Sequence, residues 1–220
     1  MNAAKSKIFI VDDHPLVRES LTNLIDQTPD LTVCGEAESP HGALQAIART
    51  APDLAIIDLS LGNGSGIDLI RSVRSLFPNV PVIVLSMHDE RVYAERSIRA
   101  GALGYIMKRE STKKIIEAIH HVLGGKMYLS RELTETFAAK FVTGPAPVKG
   151  MPIGQLSDRE LEVFQLIGQG YETRQIAKTL NVNIKTVQTY CTRIKDKLKF
   201  STGAELLREA IRWNESGAER

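Results

Sequence analysis

Short apolar runs alternate with amphipathic stretches through residues 7–124 of this chain. Each run is apolar on both faces and ends at polar or turn-forming residues. This pattern is typical of parallel strands buried in the middle of a sheet. The predicted strands lie at 7–11, 31–35, 54–58, 81–86 and 102–108.

The stretches between these strands carry apolar residues at helical spacing. Pro15 suits the first turn of a helix, and Leu21, Leu24 and Ile25 continue the apolar side of that helix. The segment 89–100 is rich in charge, so we expect this helix to be mostly exposed to solvent. The predicted helices lie at 15–27, 40–50, 66–77, 89–100 and 112–123.

Strand and helix alternate five times before the glycine pair at 124–125. Strands joined by helices run parallel, so this alternation predicts an α/β doubly wound domain with a five-stranded parallel sheet. The carboxyl ends of all its strands meet at one edge of the sheet, where the ligands of such domains bind.

Beyond residue 127 the pattern changes to helices alone. One helix is predicted at 131–142, and the Pro- and Gly-rich stretch 143–152 has the composition of a linker. The sequence therefore predicts a first domain at 1–127, a connecting helix and linker at 128–152, and a small all-α domain at 153–220.

The small domain shows the pattern of a helix-turn-helix. Ser157 and Glu160 have the spacing of a capping box, which opens its first helix. A short helix at 173–180 and a longer one at 184–200 are joined by a tight turn, as in that motif. A closing helix is predicted near 203–214.

Composition narrows the class of protein. The net charge of +2 gives no general signal for a polyanionic partner. Cys34 and Cys191 match no metal-binding spacing and indicate a reducing compartment. No apolar run has the length of a membrane span, and the segment 1–7 is too short and polar for a signal peptide. We therefore expect a cytoplasmic protein with no membrane partner.

Polar side chains follow four of the predicted strands. Asp12 and Asp13 follow the first strand, Asp58 ends the third, Ser86 ends the fourth and Lys108 ends the fifth. Taken alone, Asp58 is equally well interpreted as an aspartate that caps a turn. The combination of two acids, an acid, a hydroxyl and an amine at one edge is far more specific.

This set of groups suits phosphoryl transfer. Three carboxylates are hard oxygen ligands for Mg²⁺, whose charge would offset their repulsion. An ionised aspartate such as Asp58 attacks phosphorus to form an acyl phosphate. Lys108 and Ser86 would then donate to the phosphoryl oxygens. Movement of Ser86 would open space beneath Tyr105, which predicts a two-state switch.

Two histidines lie near these groups. His14 follows the acid pair, and we interpret it as a partly exposed side chain at a helix start rather than as part of a metal shell. His88 follows Ser86 in a loop, a position that indicates an influence on dephosphorylation but does not establish one.

Residues 8 to about 124 resemble the receiver domain of bacterial two-component response regulators, which has a flavodoxin-like fold. The matching residues are the acid pair, the phosphoacceptor, the switch hydroxyl, the switch aromatic and the lysine, namely Asp12, Asp13, Asp58, Ser86, Tyr105 and Lys108.

This resemblance implies the partners of the first domain. The phosphodonor would be a sensor histidine kinase. Mg²⁺ would be bound by Asp13, Asp58 and the backbone carbonyl of Ser60, with Asp12 assisting through water.

The helix predicted at 184–200 carries a candidate DNA interface. Val187, Cys191, Ile194 and Leu198 share its apolar side. Basic residues on the helix would bind phosphates, whereas Gln and Thr side chains would read base edges. A solvated helix with chance lysines is the alternative. The candidate contacts are Lys185, Gln188, Thr189, Thr192, Arg193 and Lys195, with Lys199 as an alternative to Lys195.

The region resembles the LuxR-type helix-turn-helix of NarL/FixJ response regulators, which implies double-stranded DNA as a partner. The match runs through 156–163, Ile176-Ala177, Thr186-Val187 and 195–198.

This chain departs from that family in two places. Gln188 and Tyr190 stand where the family usually has Lys and His, so the resemblance does not give the operator sequence. The segment 172–175 replaces the usual Ser-Asn-Lys-Glu capping box, and we expect Thr173 to cap the short helix instead.

Three functions are compatible with the sequence, and the favoured one is a phosphorylation-dependent transcriptional regulator that is not an enzyme. An enzyme with an aspartyl-phosphate intermediate would need a second acid at the position of Ser60. The third is a phosphate shuttle or protein-interaction module whose small domain does not bind DNA. For the favoured function a homodimer is expected, because one helix-turn-helix covers only a short half-site.

Overall fold

The computed structural model describes residues 4–62, 64–143 and 153–218. Contacts between residues divide the chain into two compact units, Met1–Gly144 and Pro145–Arg220, and each is described by itself. No helix among the described residues is long and apolar enough to cross a membrane.

The first unit alternates strands with helices. Its strands are β1 (Ser6–Val11), β2 (Leu31–Ala37), β3 (Leu54–Ile57), β4 (Ser60–Leu61), β5 (Gly64–Ser65), β6 (Val82–Ser86) and β7 (Gly104–Met107). Its helices are α1 (Pro15–Asp26), α2 (Pro40–Thr50), α3 (Gly66–Leu76), α4 (Glu90–Ala100), α5 (Thr112–Leu123) and α6 (Arg131–Thr143).

The main sheet has the strand order β2-β1-β3-β6-β7, and every neighbouring pair is parallel. This confirms the predicted doubly wound α/β architecture. Because all five strands run in one direction, their carboxyl ends lie along the same edge of the sheet.

Helices α1 and α5 cover one face of this sheet. Ile25 of α1 and Ile119 of α5 are fully buried in a cluster with Ile8 and Ile10 of β1. Burial of each such side chain stabilises the fold by about 1.5–3 kcal/mol. Elsewhere α2 contacts α3, and α3 contacts α4.

A small antiparallel hairpin follows Asp58 and was not predicted. Ser60 pairs with Ser65, and Leu61 pairs with Gly64. Strands of two residues carry no periodic signal, so pattern reasoning does not detect them. Strand β2 also continues to Ala37, two residues beyond the predicted end.

The expectation that the helix at 89–100 is mostly exposed is wrong. Tyr93, Ala94, Ser97 and Ala100 of α4 are buried. Small residues and one aromatic form the side of α4 that packs against the rest of the unit. Charged residues on its other sides raise the average polarity of the helix, so its composition alone does not indicate this buried side.

The chain after α5 returns to the edge of the main sheet. The backbone N–H of Tyr128 donates to Leu103 at 2.8 Å, and that of Tyr105 donates to Tyr128 at 3.1 Å. Ser130 then donates its hydroxyl to Glu90 of α4 at 2.8 Å. The segment just before α6 is therefore hydrogen-bonded both to β7, which contains the predicted switch residue Tyr105, and to α4, which follows Ser86 along the chain.

The second unit is helical, and its helices pack closely around a buried apolar core. Its elements are a 3-10 turn (Ile153–Gln155), α7 (Asp158–Gly168), α8 (Thr173–Thr179), α9 (Ile184–Leu198) and α10 (Gly203–Ala218). A side chain at Gly168 would collide with the carbonyl oxygen of Ala210, so α7 and α10 pack with almost no gap. Phe164, Val187 and Ile194 are fully buried.

The helix ends in this unit confirm one capping prediction and correct another. Ser157 and Glu160 form the predicted capping box. Thr173 does not cap α8, because Glu172 occupies the N-cap position and its N–H donates to the side chain of Gln175 at 2.7 Å. Helix α9 stops at Leu198 because Lys199 has a positive φ of 59°.

Candidate functional site

The carboxyl edge of the main sheet brings the predicted polar groups together. The ammonium of Lys108 lies 2.6 Å from Asp12 Oδ2 and 2.7 Å from Asp58 Oδ2. Asp13 and Asp58 each offer an oxygen to the same small cluster. Three loops far apart in the sequence, those after β1, β3 and β7, therefore meet at one point.

Burial controls the charges of this cluster. Asp12 and Asp58 are only 2% and 3% exposed. Burial raises the pKa of Asp58 to about 6, against the opposing effect of Lys108. Burial acts to lower the pKa of Lys108, but Asp58 and Asp12 outweigh it and hold this pKa above its usual value. The lysine therefore stays charged.

Two buried oxygens of the cluster have no hydrogen-bond partner among the residues that the structure describes, namely Oδ1 of Asp13 and Oδ1 of Asp58. Unpartnered buried acceptors are costly unless a cation compensates them. The donor set of carboxylate oxygens also suits a hard divalent cation. The residues present therefore fit a divalent metal ion.

The hairpin β4-β5 holds the loop that follows Asp58. The N–H of Gly62 donates to Asp13 Oδ2 at 3.0 Å, which joins the hairpin to the acid pair. A side chain at Gly66 would collide with the carbonyl oxygen of Asp58, so only glycine allows this close approach. Ser60, two residues after Asp58, is thereby fixed beside the cluster.

The predicted switch residues form a second layer beside the acids. Ser86 is fully buried and accepts a hydrogen bond from the N–H of His88 at 3.2 Å. Tyr105 is also buried, and its hydroxyl donates to the carbonyl of His88 at 2.9 Å. Burial raises the pKa of Tyr105 well above its usual value, so the phenol keeps its proton.

His88 contacts more of the switch residues' surroundings than its position in a loop indicates. Its Nε2 shares a hydrogen bond of 2.7 Å with the hydroxyl of Ser60, and its ring lies 4.5 Å from that of Tyr93. Burial, helped by the charge of Lys108, lowers the pKa of His88 to about 4. A neutral imidazole therefore connects the loops after β3 and β6.

Sequence reasoning did not identify Arg18 as part of the site. Its guanidinium donates to the carbonyl of Asp12 at 2.7 Å and to Glu36 at 3.2 Å. Thr22 donates to the same carboxylate at 2.7 Å. Arg18 thus links the acid pair to α1 and β2. The one feature of the sequence that could have indicated this role is its place as a polar residue on the half-buried side of α1.

The interpretation of His14 as a partly exposed side chain at a helix start is confirmed, and the structure adds a contact with the acid pair. His14 does occupy the N-cap position of α1 and is 64% exposed. Its Nδ1, however, lies 2.8 Å from Asp13 Oδ1 and 3.2 Å from Asp12 Oδ1. The ring therefore belongs to the acid cluster.

Helix α9 presents a polar side opposite its buried side. Thr189 and Thr192 donate their hydroxyls to backbone carbonyls one turn earlier, at 2.9 and 3.1 Å. Lys197 is bound to the buried Glu160 at 2.6 Å and is engaged within the unit. The predicted contacts Lys185, Gln188, Thr189, Thr192 and Arg193 are exposed, and Lys195 is half-buried.

These observations define a class of protein. One unit gathers carboxylates, a lysine and a hydroxyl where a phosphoryl group and a divalent cation fit. The other is a helix-turn-helix with an exposed polar and basic side on its longer helix. Together they define a signal-receiving transcriptional regulator.

Two family models match this chain. Residues 8–120 match the response regulator receiver domain, and residues 154–210 match the bacterial regulatory proteins of the luxR family. The chain belongs to the two-component response regulators with a LuxR-type DNA-binding domain. This family consists of transcription regulators and not of enzymes, which removes the enzyme hypothesis.

Relatives are similar to this chain over nearly its whole length. Oxygen regulatory protein NreC of Staphylococcus epidermidis is 33% identical, covering 94% of this chain and 97% of that protein. Transcriptional activator protein ExaE of Pseudomonas putida is 34% identical, covering 93% and 95%. A solved structure of RcsB from Salmonella enterica serovar Typhimurium, bound to promoter rprA with phosphomimetic BeF3−, is 25% identical with a TM-score of 0.63, covering 94% and 98%.

Proposed function

We propose that Asp58 accepts a phosphoryl group from a sensor histidine kinase and that this modification controls promoter binding by helix α9. The observation that carries the proposal is the meeting of Asp12, Asp58 and Lys108 at hydrogen-bond distances. The pairing of a receiver with a LuxR-type domain in one chain supports the same division of labour.

A bound Mg²⁺ would neutralise charge on the carboxylate and phosphoryl oxygens. Asp13, Asp58 and the backbone carbonyl of Ser60 would hold it, with Asp12 assisting through water. The buried oxygens of Asp13 and Asp58 that lack a partner support this assignment.

In the transfer step, a carboxylate oxygen of Asp58 attacks the phosphorus of a phosphohistidine. The new O–P bond forms as the P–N bond breaks, and the kinase imidazole leaves with the electron pair. Lys108 already lies 2.7 Å from Asp58 Oδ2, so its charge is in place for the oxygens of the incoming group.

The acyl phosphate would then bias the switch residues. The hydroxyl of Ser86 would turn to donate to a phosphoryl oxygen and give up its contact with the N–H of His88. That N–H belongs to the same residue, His88, as the carbonyl bound by Tyr105. Ser86, Tyr105 and Lys108 together form the two-state element that passes the signal to the surface.

Helix α9 would enter the major groove of double-stranded DNA. Lys185, Arg193 and Lys195 would bind phosphates, while Gln188, Thr189 and Thr192 would contact base edges. The solved structure of RcsB, bound to promoter DNA in the presence of a phosphomimetic, supports this combination for a relative.

The working form would be a cytoplasmic homodimer, since two half-sites are needed for a specific site. We place the functional boundaries at 1–127 for the receiver, 128–152 for the connecting helix and linker, and 153–220 for the DNA-binding domain.

The test compares wild-type protein with Asp58→Asn, which keeps the shape of the side chain and removes the nucleophile. With acetyl phosphate and Mg²⁺, the wild-type chain should gain one phosphoryl group by intact-mass measurement. It should then bind a duplex selected from a random library more tightly, as followed by fluorescence anisotropy.

Asp58→Asn should show neither effect. The matched control is Asp68→Asn on the exposed side of α3, which should behave as wild type. Phosphorylation of the Asp58→Asn protein at the wild-type level would identify a different acceptor and refute the proposal.

A further inference from the structure

The imidazole of His14 gives the acid cluster a nitrogen donor that the other proposed ligands lack. We propose that this site binds a divalent transition metal such as Co²⁺ or Ni²⁺ through His14 Nδ1 together with the carboxylates, and that His14 favours such ions over Mg²⁺. The inference rests on the cation site of the proposed function and adds a ligand and a metal class to it.

The geometry brings four donors within reach of one ion. One atom each from Asp12, Asp13, His14 and Asp58 lies within 4.8 Å of the other three. Ligands of an octahedral transition metal with bonds of about 2.0–2.2 Å lie roughly 3–4.4 Å apart. Small side-chain rotations are therefore enough to place all four around a single centre.

The close contacts of Nδ1 need a hydrogen or a metal ion between the atoms. In the neutral tautomer with a free Nδ1, this nitrogen and the carboxylate oxygens are all acceptors. They nevertheless lie 2.8 Å and 3.2 Å apart. Among the described residues, Asp13 Oδ1, the nearer oxygen, has no hydrogen-bond partner of good geometry. Either a proton or a metal ion must therefore fill this space.

The backbone places the ring and leaves it accessible. The N–H of His14 donates to Asp12 Oδ1 at 2.9 Å, and Pro15 fixes the chain immediately after it. The side chain is 64% exposed, so an ion and its remaining waters can enter. The buried, unpartnered Oδ1 of Asp58 lies at the inner side of the same cluster.

The donor set decides which ions gain from this arrangement. Mg²⁺ prefers oxygen ligands and keeps several waters, so an added imidazole contributes little to its binding. Imidazole suits Co²⁺, Ni²⁺ and Zn²⁺, whose affinities for such sites follow the Irving–Williams order. His14 should therefore change the ratio of affinities rather than all affinities equally.

The test measures Co²⁺ and Mg²⁺ binding to the full chain by calorimetry at pH 8. The quantity of interest is the Kd for Mg²⁺ divided by the Kd for Co²⁺. This ratio should fall by about tenfold or more in His14→Ala, because one nitrogen ligand to Co²⁺ is lost. The visible absorption bands of bound Co²⁺ should also shift in this variant.

Two controls locate the effect. His41→Ala, on the exposed side of α2, should leave the ratio and the absorption bands unchanged. The double variant Asp13→Asn with Asp58→Asn should lose the tight Co²⁺ site.

An unchanged ratio in His14→Ala would overturn the inference, and Nδ1–H would then be a hydrogen-bond donor to Asp13. Tight Co²⁺ binding that survives the double variant would overturn it too. The proposed function is tested apart from this, by phosphorylation of the wild-type chain with Mg²⁺ as the only divalent metal.

Discussion

At the scale of single residues, Glu160 shows how one buried charge serves two purposes. Its carboxylate accepts from the N–H of Ser157 at 2.7 Å, which caps α7, and binds Lys197 of α9 at 2.6 Å. Burial favours the neutral acid, but the hydrogen bonds from Lys197 and Ser157 outweigh it and lower the pKa of Glu160. Glu160 thus links the capping box to the DNA-binding helix.

We expect Glu160→Gln to lower the free energy of unfolding of the second unit by about 1–2 kcal/mol at pH 7. A lowered folded-state pKa contributes stability that is present above the unfolded value near pH 4.5 and lost as pH falls through the folded value. The difference between the two proteins should therefore close below about pH 4.5.

The fluorescence of Trp213 measures this difference in urea titrations. Trp213 is the single tryptophan of the chain, and its ring lies 5.8 Å from that of Phe164 in the same unit. Lys197→Met and the double variant complete a double-mutant cycle. A difference that persists unchanged at pH 3 would show that the charge of Glu160 is not responsible.

At the scale of elements, helix α9 carries the side chains that we propose for two kinds of DNA contact. The hydroxyls of Thr189 and Thr192 donate to backbone carbonyls of the helix. These side chains therefore offer a hydroxyl acceptor and a methyl group to bases. The amide of Gln188 is exposed and has both donors and acceptors for a base edge. Lys185 is exposed near the start of the helix, where its ammonium can contact a DNA phosphate.

Lys185→Ala should weaken binding to all duplexes and reduce the slope of log affinity against log salt by about one. Gln188→Ala should instead cost about 1–3 kcal/mol at particular base pairs and leave random DNA nearly unaffected. Anisotropy titrations on a selected duplex and a scrambled one, at several salt concentrations, separate the two effects.

Lys126→Ala, an exposed lysine of the first unit, is the matched control for loss of one positive charge. Equal losses on both duplexes for Gln188→Ala would remove Gln188 from the base-reading set.

At the scale of the whole molecule, regulation requires that the first unit change what the second one does. The second unit has its own buried core and its own capping network. We therefore expect the fragment 150–220 to fold and to bind DNA without any phosphodonor.

The full chain should bind more weakly than this fragment until Asp58 is modified. Phosphorylation should then raise its affinity by about 5- to 150-fold, the range that corresponds to a coupling of 1–3 kcal/mol. Anisotropy at one salt concentration measures fragment, unmodified chain and phosphorylated chain together. If the unmodified chain already binds as tightly as the phosphorylated one, inhibition of the second unit by the first is wrong.

The sequence by itself determined the architecture and the composition of both candidate sites. Alternating apolar runs and amphipathic stretches predict the parallel sheet, because burial imposes a different period on strands and helices. Parallel strands end at one edge, so Asp12, Asp58 and Lys108 were predicted to meet there, as they do. The buried side of α9 followed from helical spacing in the same way.

Only the tertiary structure decided which side chains touch within those sites. Arg18 reaches the carbonyl of Asp12, and His88 meets Ser60 across 28 residues of sequence. Lys197 pairs with Glu160 across 37 residues of sequence. Hydrophobic period specifies which face of an element is buried, but not the rotamer of a long polar side chain or the partner it meets across a loop.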